Sequence, residues 1–239
     1  MRSASTCMKV VILLAGIGSR LGNSLPKCLT PLRPDYAILD HQLENLEAFA
    51  GDILAVVGFK KEIILERHPE LLFAYNPRFD QTNTSQSLLI AFRHLRGEDV
   101  LVLNGDVVFD PRIIAAMLEC EESCMAVIRT PVAEEEVKFS LDARGRIGSV
   151  SKSVAEPMGE AIGINLIRAR DLELVTLGLE ACGPMDYFER GLEIAIDKGL
   201  LLRPVDVTRF PCIEIDTIDD LNRAKEMIGS WAPRPTHGQ

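Results

Sequence analysis

Residues 9–27 of the chain read KVVILLAGIGSRLGNSLPK, an apolar run at Val10–Leu14 followed by a glycine-rich loop that holds Arg20 and closes on Pro26 and Lys27. An uninterrupted apolar run rich in β-branched residues predicts a strand buried on both faces. Glycines directly after such a strand let the backbone turn sharply and approach a ligand, and exposed N–H groups can cradle phosphate oxygens. The stretch therefore predicts an α/β sheet with an anion site at the end of its first strand.

Two familiar nucleotide-binding motifs fit this loop badly. It contains no G-x-x-x-x-G-K-[ST]. Gly16-x-Gly18 lacks the third glycine at the spacing of a dinucleotide-binding loop, and no acidic residue closes the second strand. A coenzyme-binding oxidoreductase is therefore disfavoured. Arg20 and Lys27 instead place two cations in the loop, which suits the charge of a triphosphate. The alternative is an ordinary glycine turn with two solvated charges.

Segments typical of strands and helices alternate along the rest of the chain. Strands are predicted at Val10–Leu14, Ile53–Val57, Leu71–Tyr75, Val100–Leu103, Met125–Arg129, Val137–Leu141, Ile147–Val150, Ala161–Ile167, Leu202–Val207 and Cys212–Ile215. Helices are predicted at Ile38–Phe49, Glu62–Arg67, Gln86–Leu95, Arg170–Glu180, Met185–Lys198 and Ile218–Ile228. The alternation predicts a single Rossmann-like α/β domain: a mostly parallel mixed sheet flanked by helices, with a small β-hairpin that turns at Asp142–Gly145.

Composition and charge narrow the classes of partner. The 239 residues carry a net charge of −9, yet residues 1–34 contain five basic residues and no acid. An acidic body disfavours nucleic-acid binding, and the basic segment suits a small anionic ligand.

The early apolar stretch is far shorter than the roughly 20 residues of a membrane span, so no membrane partner is expected. Six cysteines without a C-x-x-C pair predict reduced thiols in a cytoplasmic protein.

The expected domain is residues 9–228, between a flexible extension at residues 1–8 and a frayed tail at residues 229–239. Within it, Asp106 follows the predicted strand Val100–Leu103, at the edge where open α/β sheets bind ligands. A carboxylate beside bound phosphates is a ligand that Mg²⁺ prefers, although a turn or cap aspartate is the alternative.

The stretch Leu14–Arg20 together with Leu25–Lys27 resembles the nucleotide-binding signature of nucleotidyltransferases, which make activated sugars and activated alcohols from a nucleoside triphosphate. This resemblance implies that the loop backbone cradles the nucleotide and that Arg20 and Lys27 act on its phosphates as catalytic residues. It also implies a Mg²⁺ cofactor on Asp106 and Asp216. Nucleotide contacts are expected from Leu14, Ala15, Gly16, Gly18, Ser19, Arg20, Lys27, Asn83, Ser85, Ser87 and Gly105.

Two of these assignments have local alternatives. Ser85 reads equally well as the N-cap of a helix. Thr217 and Asp220, which follow Asp216, resemble a capping box, so part of that acidic cluster is explained by helix capping. Asp216 precedes the cap, in a segment that is similar to the family's second metal-binding aspartate.

Residues 135–164 resemble the acceptor half of small-alcohol cytidylyltransferases, the group that activates phosphocholine and phosphonates, and the whole resemblance covers about residues 9–228. It implies CTP as the nucleotide, with Lys138 and Lys152 near the acceptor phosphate or phosphonate and Glu160 near its polar end. Tyr187 is an expected acceptor contact. For each charged residue, an ordinary place on the surface of a hairpin is the alternative.

The sequence thus predicts Mg²⁺-dependent transfer of CMP from CTP to a small phosphorylated alcohol or phosphonate, with release of pyrophosphate. A choline-type cation favours an aromatic cage, and because only 5% of the residues are aromatic, an aminoalkyl- or carboxy-phosphonate rivals phosphocholine as acceptor. Two further hypotheses are a sugar-1-phosphate nucleotidyltransferase and an inactive nucleotide-binding regulatory module. A homodimer is left open.

Overall fold

A nine-stranded mixed sheet forms the centre of the computed structural model, which describes residues 8–18 and 25–230. The strands of this sheet are β1 (Met8–Leu14), β4 (Ala50–Val57), β5 (Leu72–Tyr75), β6 (Val100–Asn104), β8 (Ser123–Ile128), β9 (Lys138–Leu141), β10 (Ile147–Ser151), β11 (Gly159–Ile167) and β12 (Leu202–Asp206). Two small pairs lie outside it, β2 (Pro31–Arg33) with β3 (Tyr36–Ala37), and β7 (Val107–Phe109) with β13 (Cys212–Glu214). The helices are α1 (Ile38–Leu46), α2 (Lys61–Arg67), α3 (Thr84–Phe92), α4 (Arg112–Leu118), α5 (Leu172–Glu180), α6 (Phe188–Asp197) and α7 (Ile218–Gly229).

The sheet combines a parallel half with an antiparallel half. Its main path is β10-β9-β11-β6-β1-β4-β5, with β8 and β12 branching from β11. Strands β5, β4, β1 and β6 run parallel to one another, whereas β11 runs antiparallel to β6, β8 and β9. Buried apolar side chains cover both faces, so the predicted single α/β domain is confirmed. No helix in the described ranges is long and apolar enough to cross a membrane.

Most predicted elements are confirmed to within a few residues, although the short strands β2, β3 and β7 were not predicted. The sequence interpretation missed α4, a helix of seven residues whose Ile113, Ile114 and Met117 are buried. The N-cap alternative for Ser85 is wrong. The cap is Asn83, whose side chain accepts the backbone N–H of Thr84, and Ser85 lies inside α3 as a fully buried residue.

The ends of β1 and β6 create the edge at which the site forms. The two strands are parallel neighbours, with Leu13 opposite Asn104, and the N–H of Gly105 donates to the carbonyl of Leu13 over 3.1 Å. A Cβ at position 105 would lie 2.6 Å from that carbonyl oxygen, so only glycine fits. The next residue, Asp106, is therefore held beside the glycine loop that follows β1.

The short β7–β13 ladder brings a distant part of the chain to the same edge. Val107 pairs with Glu214 in this antiparallel ladder, and the N–H of Ile215 donates to the backbone carbonyl of Asp106 over 3.0 Å. Asp216 consequently lies beside Asp106. The helix that follows is fixed by the predicted capping box, in which Thr217 and Asp220 each accept the other's backbone N–H.

One buried amide clamps the turn that carries Asp106. The Nε2 group of Gln42, on α1, donates to the carbonyls of Asn104 and Val107 over 2.8 and 2.9 Å. Gln42 is fully buried, so removing its amide takes away a donor that both carbonyls use inside the fold.

We therefore expect Gln42→Leu to lower the free energy of unfolding by about 2 kcal/mol, because the carbonyls of Asn104 and Val107 lose their donor. Urea denaturation measures the change. Gln81→Leu, at an exposed position, is the control and should stay within about 0.5 kcal/mol of the parent chain. Equal stability of the two variants would contradict the clamp.

Candidate active site

Lys27 is the centre of the candidate site. Its Nζ lies 2.7 Å from Oδ2 of Asp106 and 2.7 Å from Oδ1 of Asp216, and its side chain is only 16% exposed. Burial opposes the charge of the ammonium group, but the two carboxylates outweigh it and raise the pKa of Lys27 above its usual value. Lys27 is therefore a fixed positive charge that two carboxylates share.

The glycine loop and Lys27 are packed directly against each other. Gly18 has a φ of +65°, and a Cβ there would lie 2.8 Å from Cβ of Lys27, so a side chain would displace the lysine. Among the described residues, a Cβ on Gly16 would meet no atom within 4 Å. The space beside Gly16 belongs to a cavity of about 170 Å³ that also reaches Leu14, Lys27 and Gly105. The loop backbone thus borders open space beside a cation, an arrangement that suits a phosphate group.

The two aspartates fit a hard divalent cation. Their oxygens converge on one point, where the Lys27 ammonium lies. Oδ1 of Asp106 is buried and has no hydrogen-bond partner within residues 8–18 and 25–230. The described residues contain no cluster of three or more potential metal ligands. Mg²⁺ commonly takes one or two carboxylates and completes its shell with phosphate oxygens and water, so this pair is sufficient.

A second cavity of about 250 Å³ adjoins the first and shares Gly105 and Asp106 with it. Carboxylates line much of it. Asp216 lies beside Asp106, and the other acidic lining residues, which we call the acidic wall, are Glu135, Glu136, Glu189 and Glu214. Lys152 is the one basic residue among the described lining residues. Its Nζ lies 5.1 Å from the ring centroid of Tyr187 and 3.7 Å from Oε2 of Glu135.

Two residues of the acidic wall, Glu189 and Glu214, have raised pKa values. Burial, Asp106 and Asp216 together raise the pKa of Glu214 well above its ordinary value. Glu189 is only 5% exposed; burial raises its pKa to about 7, with Asp106 adding to the shift while its own amide and Lys152 oppose it. Oε2 of Glu189 has no hydrogen-bond partner among the described residues.

Contacts between two helix ends explain why Glu189 lies at the cavity. Its helix, α6, begins at Phe188, whose N–H donates to Oγ1 of Thr84 over 2.9 Å, and Thr84 also lines the cavity. Glu189 was missed by the sequence interpretation. The one signal was an acid in the first turn of a helix, which is typical of ordinary helix ends.

Several predicted site residues lie together in the structure. Gly16, Gly105, Asp106, Lys152, Tyr187 and Asp216 line the larger cavity, and Leu14, Gly18 and Lys27 line the smaller one. The carbonyl of Ala15 accepts the N–H of Phe59 over 3.3 Å, which ties the loop to the end of β4. Ser19 and Arg20 lie outside the described residues.

Other predicted residues are placed elsewhere. Lys138 donates to the backbone carbonyls of Glu134 and Lys152 over 2.7 and 2.9 Å and so holds the hairpin together, outside the cavity lining. Glu160 faces an adjoining cavity, where burial and Glu136 raise its pKa to about 7.

The predicted α3 contacts are also placed away from the cavity lining. Ser85 and Ser87 are buried in α3, where Oγ of Ser87 accepts from Nδ2 of Asn76. Asn83 caps that helix and donates to the carbonyl of Met185.

Comparisons with known proteins agree with this geometry. Residues 10–143 match the family described as the MobA-like NTP transferase domain. A "Bifunctional protein GlmU" from Methanococcus maripaludis is 31% identical over 171 residues, which are 68% of this chain and 39% of that protein. The chain therefore spans well under half the length of this relative.

Two further similar proteins have names that mention a cytidine nucleotide. A "CMP-5'-(3-aminopropyl)phosphonate synthase" from Streptomyces rubellomurinus is 32% identical over 137 residues, covering 52% of this chain and 21% of that protein. The solved inositol-1-phosphate CTP transferase from T. maritima has the same fold, with a TM-score of 0.77, 16% identity, and coverage of 96% of this chain and 99% of the other.

The raised pKa of Glu189 predicts a pH-dependent loss of stability. The folded-state pKa of about 7 exceeds the ordinary value of 4.5. The folded chain therefore keeps its full stability at low pH, where Glu189 is protonated, and its free energy of unfolding falls as the pH rises through 7. We expect Glu189→Gln to match the parent chain near pH 4.5 and to exceed its unfolding free energy at pH 8 by roughly 3 kcal/mol.

Urea denaturation at both pH values measures this difference. Glu193→Gln is the matched control one helical turn further along α6, where the new side chain keeps an oxygen acceptor for the N–H of Val150. A Glu189→Gln variant whose stability follows the parent chain at both pH values would show that Glu189 ionises normally in the folded protein.

Proposed function

The chain belongs to the MobA-like NTP transferase domain family, and on that premise we propose that it transfers a cytidylyl group from CTP to a small phosphate or phosphonate acceptor. The observation that carries the proposal is the single ammonium of Lys27, shared by Asp106 and Asp216 at 2.7 Å from each. This cluster lies between a glycine loop and a cavity large enough for a small acceptor. Binding of a nucleotide alone would not require the two converging carboxylates.

In the proposed reaction, an acceptor oxygen forms a bond to the α-phosphorus of CTP while the bond from that phosphorus to the bridging oxygen of the β-phosphate breaks. The leaving group is pyrophosphate. An acceptor phosphate or phosphonate is already anionic near neutral pH, so the attacking oxygen needs no general base. The main barrier is the approach of two anions, and catalysis consists of positioning them and offsetting their charge.

The residues of the chain divide this work between two cavities. The loop at Gly16 and Gly18 would cradle phosphate oxygens, and Lys27 would offset charge on the triphosphate. Asp106 and Asp216 would hold Mg²⁺, which when bound neutralises charge on the phosphates. Lys152, held against the ring of Tyr187, would bind the acceptor anion on the other side.

Two of the similar proteins support CTP as the nucleotide. The fold neighbour is titled a CTP transferase, and the Streptomyces relative is named for a CMP product. Asp106, Asp216, Glu135 and Glu136 line the cavity, so an acceptor that carries further negative charge at its far end would be repelled there.

Pyrophosphate release, measured for a panel of nucleotides against small phosphonates, phosphate esters and sugar 1-phosphates, tests the proposal. We expect turnover with CTP and a small phosphonate or phosphate ester. Turnover confined to a sugar 1-phosphate would make the chain a sugar nucleotidyltransferase. No pyrophosphate from any pair, with CTP binding unaffected by EDTA, would make it a regulatory module.

Within this proposal, Lys27→Ala and Asp106→Ala should each lower turnover by at least ~10²-fold, because each removes one preorganised electrostatic contact. Steady-state pyrophosphate release gives the rates, and thermal unfolding checks that the variants are folded. Lys225→Ala, on an exposed face of α7, is the control and should keep the parent rate. A folded Lys27→Ala or Asp106→Ala variant with parent-like turnover would overturn the assignment.

A further inference from the structure

The proposed reaction assigns the same two carboxylates to two different cations. In the structure, Nζ of Lys27 lies 2.7 Å from Oδ2 of Asp106 and 2.7 Å from Oδ1 of Asp216. During turnover, the two aspartates would hold Mg²⁺ and Lys27 would offset charge on the triphosphate. Lys27 cannot keep both contacts while a divalent cation uses the same oxygens. The free chain and the loaded chain must therefore differ in the position of the Lys27 ammonium.

Electrostatic repulsion keeps the two cations apart. A divalent cation on either of the contacted oxygens would lie next to the ammonium, and like charges that close repel strongly where solvent is partly excluded. The side chains of Lys27 and Asp106 are only 16% and 21% exposed. Lys27 does not contact Oδ1 of Asp106, but a metal ion bound there alone would have the charge of one carboxylate. Use of both aspartates by the metal requires Lys27 to leave.

The packing around Lys27 allows the ammonium to move without a change of the backbone. The carbonyl of Lys27 accepts the N–H of Thr30 over 3.0 Å, and its Cβ is held close to Gly18. Beyond Cβ, a lysine has a flexible stem. The same side chain lines the smaller cavity, which Gly16 and Gly18 also line. Rotation of the stem would therefore carry Nζ from the two aspartates toward the glycine loop.

We propose, on the basis of the function proposed above, that Lys27 occupies the place of the metal in the free chain and leaves it when the metal–nucleotide complex binds. The ammonium keeps its charge and moves from the two aspartates to the phosphates beside Gly16 and Gly18. The triphosphate supplies the anion that Lys27 then binds, and the metal supplies the positive charge that the carboxylates then need. After this exchange, each carboxylate and the triphosphate still have a cation.

This exchange makes the binding of metal and nucleotide interdependent. A metal ion that arrives alone must displace Lys27 while no phosphate is present to receive the ammonium, so its affinity is low. A bound triphosphate removes that cost, and by reciprocity the metal raises the affinity for the triphosphate by the same factor. Lys27 thus has opposite effects on the two ligands. It weakens binding of the metal alone and strengthens binding of the nucleotide.

Titration of Mn²⁺ alone into the EDTA-treated full chain, followed by electron paramagnetic resonance of the free ion, tests this inference. Lys27→Met removes the charge and keeps an unbranched side chain, so it should bind Mn²⁺ at least ~10-fold more tightly than the parent chain when no nucleotide is present. At saturating Mn²⁺, the same variant should bind CTP at least ~10-fold more weakly, as measured by isothermal titration calorimetry. A merely structural role of Lys27 would weaken the binding of both ligands.

Lys225→Met is the matched control, because it removes the same charge from an exposed position on α7, the helix that follows Asp216. It should stay within about twofold of the parent chain for both ligands. Thermal unfolding gives a second readout: Mn²⁺ alone should raise the Tm of Lys27→Met more than that of the parent chain, since the metal replaces the missing ammonium. If Lys27→Met does not fold, Lys27→Gln replaces it in both titrations, with the same expected directions.

Two results would overturn the inference while leaving the cytidylyltransferase proposal intact. The first is Mn²⁺ binding without nucleotide that is no tighter in the folded Lys27 variant than in the parent chain. The second is equal tightening in Lys225→Met, which would show a general effect of net charge. Absence of pyrophosphate from the parent chain with every nucleotide and acceptor would instead overturn the proposed function.

Discussion

Two carboxylates that share one ammonium are the constraint on which the rest of this structure depends. Asp106 and Asp216 would repel each other if no cation lay between them. Lys27 supplies that cation from the loop after β1, and all three groups are partly withdrawn from solvent. Each carboxylate follows a different strand, so the cluster forms only when the fold is complete. Oδ1 of Asp106, the carboxylate oxygen that Lys27 does not contact, is left as a ligand for a divalent cation that accompanies a triphosphate.

Backbone contacts, more than side chains, bring these charges to one place. Gly105 lets the turn after β6 approach the carbonyl of Leu13, and Gly18 leaves room for the stem of Lys27. The β7–β13 ladder then draws Asp216 alongside. The fold itself therefore requires glycine at positions 18 and 105, whether or not a ligand binds. Gly16 differs, because its lack of a side chain leaves space that a phosphate could occupy.

The sequence predicts the strands that carry the site because runs such as Val10–Leu14 are apolar without interruption. It predicts Asp106 from its position after such a run. The proximity of Asp216 was implied only by family resemblance, since the ladder that creates it pairs the predicted strand at Cys212–Ile215 with β7, a strand of three residues that was not predicted. The burial of Glu189 could not be predicted from the sequence, because acidic residues are common in the first turn of a helix. Lys138 shows the opposite case. It was predicted as an acceptor contact, but its ammonium donates to backbone carbonyls of its own hairpin.

The central claim is that Asp106 and Asp216 form one cation site for a metal–nucleotide complex in a protein of net charge −9. Electron paramagnetic resonance of Mn²⁺, titrated into the full chain with CTP present, tests it most directly because it reports binding without requiring turnover. The account predicts that Asp106→Asn and Asp216→Asn each weaken Mn²⁺ binding by at least ~10-fold, since each removes a charged ligand. Parent-like Mn²⁺ affinity in either folded variant would contradict it.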